Sequence, residues 1–181
     1  MSKQEINEIM SGCHRQLDEM FLLHQELVLE TKLSSSIKVL ESYWRCHACH
    51  MGFEDKVLIP QYDELEKAGR WNATLYHQEH QKIIEIFEKI EMDLRRLCSQ
   101  KLDKRQLNRN IIVLLERQKT FKGLCEHHQE REEASMFVEL DRQTDANWRQ
   151  EKLAQFSESW ELLLATELKA IKGFFKPSMK S

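Results

Sequence analysis

Apolar residues recur at steps of three and four along most of this chain, the spacing that lays one stripe along one face of a helix. The pattern predicts five helices, over 5–31, 37–59, 72–99, 103–141 and 145–174, with a short helical coda at 62–67. Ser34, Ser35 and Ser36 follow the first, and Pro60 is expected to end or kink the second. Gly69 is expected to cap the coda, and Asp103 with Gln106 has capping-box spacing for the fourth helix. Gly173 and Pro177 close the last. Breaks this short force neighbouring helices to run antiparallel. The expectation is an all-α, up-down-up-down four-helix bundle over residues 1–142, with an additional C-terminal helix over 143–181. That last helix carries Leu153, Phe156, Trp160, Leu163, Ile171 and Phe174 on one stripe. A stripe this apolar needs cover, from the bundle or from a second copy of the chain in a homodimer.

Following the stripes shows where they cease to be apolar. The first reads His14, Leu17, Phe21, His24, Val28, and the second Leu40, Tyr43, His47, His50, Glu54, Val57. The third reads Tyr76, His80, Ile83, Phe87, Ile90, Leu94. The fourth runs Leu107, Ile111, Leu114, Gln118, Phe121, Cys125, His128, Glu132. Each turns polar in one zone, and that zone holds imidazoles and carboxylates. At ~1.5 Å per residue, His14 lies ~24 Å below the top of its helix and His50 ~20 Å below the top of the next. Similar counting brings His80 and His128 toward the same level, with Glu54 and Glu132 one turn further along. Two carboxylates in a bundle core are costly unless a cation pairs with them. Imidazole with carboxylate suits iron, and a His-x-x-x-Glu pair on two helices lets each Glu bridge two metals.

Composition narrows the remaining classes. Five Gly and two Pro in 181 residues, with 31% charged residues, favour helix over strand. A net charge of −3 asks for neither nucleic acid nor an anionic membrane as partner. No apolar run approaches the ~20 residues that span a bilayer, and the first ten residues lack the apolar core of a secretory signal. A cytoplasmic protein is therefore expected, with its five Cys as thiols.

The sequence around each ligand candidate resembles the HHE family of hemerythrin-like domains: CHRQL at His14, HMGFEDKVLIP at His50, EHQKI at His80 and HHQEREEASMF at His128. The family's His-x-x-x-Glu-(acidic) pattern reads here as His50, Glu54, Asp55 and as His128, Glu132, Glu133, and the resemblance covers roughly residues 10–140. It implies two irons per chain, bridged by carboxylates and by oxo or hydroxo, held by His14, His50, Glu54, His80, His128 and Glu132. It further implies a small diatomic or peroxide ligand, bound or sensed. A di-iron oxidase or peroxidase is the enzymatic alternative, and iron–sulfur cluster repair a third. The third helix departs from oxygen carriers: it has His77-x-x-His80, which leaves one secure ligand and a doubtful second.

Other readings compete at particular residues. His24 and His47 share the stripes but sit one or more turns away, where a core role outweighs ligation. His127 points off the stripe toward solvent. Gly12, Gly52 and Gly123 suggest close helix approach, or access for a small ligand. Cys46-His47-Ala48-Cys49-His50 matches the C-x-x-C-H attachment pattern of a c-type haem. It competes for the same His50 in mid-helix. A structural zinc site would need a second C-x-x-C, and there is none.

Overall fold

The five long helices expected from the sequence form in the structure, a computed structural model that describes residues 5–67 and 69–175. Ser34, Ser35 and Ser36 lie inside the second helix rather than before it. The coda expected at 62–67 does not form, since Tyr62 and Asp63 end a helix and residues 64–67 are not helical. Helix α1 spans Ile6–Leu29, α2 Leu33–Phe53 and α3 Ile59–Asp63; α4 spans Ala73–Ser99 and α5 Lys104–Arg131. Helix α6 spans Phe137–Gln143, α7 spans Ala146–Ile171, and a 3-10 turn covers Lys172–Phe174. No strand occurs among the described residues, so the fold is all-α. Pro177 and the first four residues lie outside the described residues.

The caps explain where the helices begin. Asp103 and Gln106 form the expected capping box, Asn72 caps α4, and Asp145 accepts from Asn147 and Trp148 at the start of α7. Helix α1 has no cap of its own. Its first amides, Ile6 and Asn7, donate instead to the Asp141 carboxylate on α6, at 2.8 and 3.1 Å. Its other end is closed by Thr31, which adopts a left-handed φ of 60° while the Lys32 amide reaches back to the Leu27 carbonyl. The Gly69 expectation is corrected: its φ is not positive. A Cβ there would stand 2.1 Å from the Ser135 hydroxyl and 2.6 Å from that of Tyr62, so close approach requires the glycine. The reverse holds at Gly52 and Gly123, where a Cβ would meet nothing within 4 Å, and at Gly12, where it would meet only Arg15 at 3.8 Å. Close helix approach does not explain those three.

Helices α1 and α2 pack on each other, as do α4 and α5, and α2 also meets α4 and α7. The stripes supply one continuous core, from Ile6 and Met10 through Phe87 and Phe121 to Phe137. Helix α7 lies on α2 and α1, and its Leu153, Phe156, Trp160 and Ile171 join that core. The buried residue of its middle turn is Leu164, whereas Leu163 and Phe174 are half-buried. Phe53 stacks on Phe156 at 4.4 Å, and the Trp160 indole donates to Gln16 of α1. Glu167 is buried against α2, where Arg45 grips both its oxygens at 2.7 and 2.8 Å. The apolar stripe of α7 is thus covered within the chain. No described helix is long and apolar enough to cross a membrane.

The largest departure from the expected pattern lies between α2 and α3 and between α5 and α6. Glu54–Leu58 and Glu132–Met136 are single π turns, in which the amides of Ile59 and Phe137 reach five residues back to Glu54 and Glu132. Pro60 therefore neither ends nor breaks its helix: it follows directly on the wider turn, which has already displaced the carbonyls that a proline ring would strike. The extra residue also turns the stripe. After Glu54 the buried position is Leu58, not Val57.

Candidate metal centre

Both π turns begin at a carboxylate that faces the core. In a regular helix Glu54 and Asp55 would diverge by about 100° and only one could serve the interior. The wider turn lets each acidic pair act twice. Glu54 and Glu132 are fully buried, while Asp55 and Glu133, one residue on, reach histidines on other helices.

Those histidines arrive from four helices. His14 on α1 and His50 on α2 bring their Nε2 atoms to 2.9 Å, and His80 on α4 and His128 on α5 do the same. His50 Nε2 stands 3.0 Å from Glu54, and His128 Nε2 stands 3.0 Å from Glu132. Glu132 also approaches His14 at 3.4 Å, and Glu54 approaches His80 at 3.4 Å. Two sets result, His14–His50–Glu54–Glu132 and Glu54–His80–His128–Glu132, each with its ligating atoms within 4.8 Å of one another. All six residues are buried, and the two carboxylates belong to both sets.

The opposite nitrogens fix the orientation of three rings. His14 Nδ1 lies 2.7 Å from Glu133, His80 Nδ1 2.8 Å from Asp55, and His128 Nδ1 2.9 Å from Glu79. Each carboxylate accepts the Nδ1 proton and leaves Nε2 aimed inward, as carboxylate–histidine pairs do around metals.

The inner carboxylate oxygens are where a cation would fit. All four oxygens of Glu54 and Glu132 lack a hydrogen-bond partner. The imidazoles are near enough to pair electrostatically but are not aligned to hydrogen-bond them. Buried carboxylates left so are costly. Without a cation the charges settle on the imidazoles: burial pulls His14 and His80 down, but the carboxylates around them outweigh it and hold both at about 9. His128 is held at about 10 by Glu132 and Glu79 against the same burial. Burial alone would raise Glu54 and Glu132, and the neighbouring imidazoles pull both down instead. Two nitrogens bound at ~2.1 Å to one ion at a right angle would stand ~3 Å apart, close to the separations seen in both histidine pairs. These buried His/Glu groups can hold a metal ion.

No family model, curated protein or solved structure matches this chain.

All six residues expected from the sequence meet in this cluster, and the others do not. His24 sits at the other end of the core, where Nδ1 donates to the Ser36 carbonyl and Nε2 accepts from Gln118. Burial there pushes its imidazole down to about 4. His47 pairs with the Tyr43 hydroxyl at 2.7 Å, and its burial also lowers it. His127 is exposed beside Glu130. His77 is exposed too, and its Nδ1 lies 2.9 Å from Asp55 Oδ1, the same oxygen that meets His80. All five cysteines are free thiols. Cys49 is half-buried but Cys46 is fully buried, and the Nε2 of His50 already faces His14 and Glu54, so the haem pattern lacks a second accessible thiol and a free axial Nε2.

The sequence reading did not find Glu79, or the roles of Asp55 and Glu133. Glu79 lies three residues after Tyr76 and four before Ile83, so it fits the stripe's stepping as well as His80 does, and only one of the two was taken. Its signal was its place directly before His80, within reach of a helix pair.

Proposed function

We propose that this chain is a hemerythrin-like, non-haem di-iron binding protein that binds or senses O2, NO or peroxide. On this reading the four long helices run up-down-up-down and α7 is the added C-terminal helix. One observation carries it: two four-residue ligand sets share Glu54 and Glu132 as common members. His14 and His50 would hold one iron, His80 and His128 the other, and the two carboxylates would span both. Iron held this way supplies a redox-active centre to which a small oxidant or NO can bind. Four imidazoles and two carboxylates would leave part of the coordination of two such ions open to that ligand.

The chain's own residues do the rest. Glu133, Asp55 and Glu79 hold three imidazoles with Nε2 inward. Phe137 stacks on His14 at 6.0 Å, Tyr76 lies edge-on to His128, and Trp160 of α7 lies edge-on to His50. These rings keep bulk water from the inner atoms and strengthen every charge interaction there.

A di-iron oxidase or peroxidase is favoured by a different observation. Exposed His77, half-buried Asp55 and buried His80 form a hydrogen-bonded chain from solvent to the cluster, a path along which protons can reach a reducing centre. Stopped-flow mixing of the reduced protein with O2 or NO tests the main reading. With O2 a rapid change ending in a stable ferric state is expected, and with NO a rapid change of spectrum. A spectrum that does not change on mixing would refute it, and sustained consumption of peroxide or NO would favour the enzyme.

A further inference from the structure

The four histidines look equivalent from the inside of the cluster and are not equivalent from the outside. His80 and His128 each have a carboxylate on Nδ1, from Asp55 and Glu79. Glu79 is itself buried and gripped by Arg131, whose guanidinium lies over the Trp71 ring at 5.8 Å. In the other half His14 has Glu133, but Nδ1 of His50 has no partner, although the residue is 2% exposed. The rings nearest it, His14, His47 and Trp160, offer it no aligned acceptor. The residue directly before His14, where Glu79 precedes His80, is Cys13, a short buried thiol.

We infer that the two halves of the centre bind metal with unequal affinity, the Glu54–His80–His128–Glu132 set filling first and the His14–His50–Glu54–Glu132 set second and more loosely. This rests on the metal-centre reading above. A carboxylate on the outer nitrogen fixes the tautomer, stops the ring from rotating and raises its basicity, and its loss typically weakens metal binding by ~10–100-fold. The first half has that support on both rings and the second on one. His50 must then be held by packing alone, and its ring is the one freest to turn or to release an ion. The second set is accordingly where metal exchanges.

Titration of the metal-free full-length chain with Co(II), followed by ligand-field absorption and by calorimetry, tests this directly. Two steps separated by at least ~10-fold in affinity are expected. Glu79→Gln should weaken the Glu54–His80–His128–Glu132 set by ~10–100-fold and so close or reverse the gap between the steps, while Glu133→Gln should weaken the other set and widen the gap. Since each variant leaves one set intact as an internal control for folding, a general loss of structure cannot imitate the pattern. Two ions bound with equal affinity, or both variants acting on the same set, would overturn the inference but leave a two-metal centre standing. A chain that takes up no Co(II) at all would overturn that centre as well.

Discussion

The carboxylates of Glu54 and Glu132, both fully buried, approach within 4.8 Å of each other across the core. Two like charges so placed oppose folding unless cations intervene. The metal-free protein is therefore expected to be the less stable form, and metal should raise its melting temperature in a concentration-dependent way. At a hundredfold excess over the dissociation constant the gain is ~2.7 kcal/mol. Glu132→Gln should lose most of the metal-dependent rise. If wild type and variant respond alike to metal, Glu132 is not a ligand.

The face of the fourth helix is tested by neighbouring histidines. His128→Ala should lower iron content sharply, whereas His127→Ala, exposed beside Glu130, should change it little. Equal losses, read by metal analysis of the purified variants, would mean that the face is assigned wrongly.

His24 makes a prediction away from the centre. Its folded imidazole is held near 4 by burial, against ~6.5 in the unfolded chain. The unfolded state therefore takes up the proton first. The stability contributed by neutral His24 is complete above ~6.5 and declines as pH falls toward ~4, by at most ~3 kcal/mol. Urea midpoints measured from pH 7 to 4 should fall more steeply for wild type than for His24→Gln. Parallel curves would show that the ring can be protonated in place.

Thr31 holds a left-handed conformation that costs a branched residue ~1–2 kcal/mol. Part of that is offset by the greater freedom of glycine in the unfolded chain. Thr31→Gly should thus raise stability by ~0.5–1 kcal/mol in urea denaturation. A destabilised variant would mean that the threonine side chain contributes contacts worth more than the strain.

Much of this was legible from spacing alone. A 3–4 stripe on each helix placed His14, His50, His80 and His128 together with Glu54 and Glu132, because burial and helical period are both local properties. What the stripe could not show was any change of period. The π turns at Glu54 and Glu132 are invisible to a method that assumes 3.6 residues per turn, and Val57 was chosen over Leu58 for that reason. The orienting carboxylates were missed similarly: Asp55 serves His80 across 25 residues and Glu133 serves His14 across 119. Contacts between helices at that separation leave no periodic signal. Gly69 and Thr31 fail differently. Glycine was expected where φ is positive, but the left-handed residue is a threonine, and the glycine answers to the space beside Ser135.

The haem pattern gives a separate prediction. Cys46→Ser with Cys49→Ser should retain iron, since neither thiol belongs to either ligand set. Loss of all bound iron from a folded double variant would point back to those cysteines.

The central claim is a pair of irons bridged by Glu54 and Glu132. Metal analysis and an optical spectrum of protein purified without oxygen, recorded before and after admission of air, test it most directly. About two irons per chain, near-ultraviolet absorption that grows on oxidation, and no Soret band are expected. One iron per chain, a different metal, or a porphyrin spectrum would contradict it.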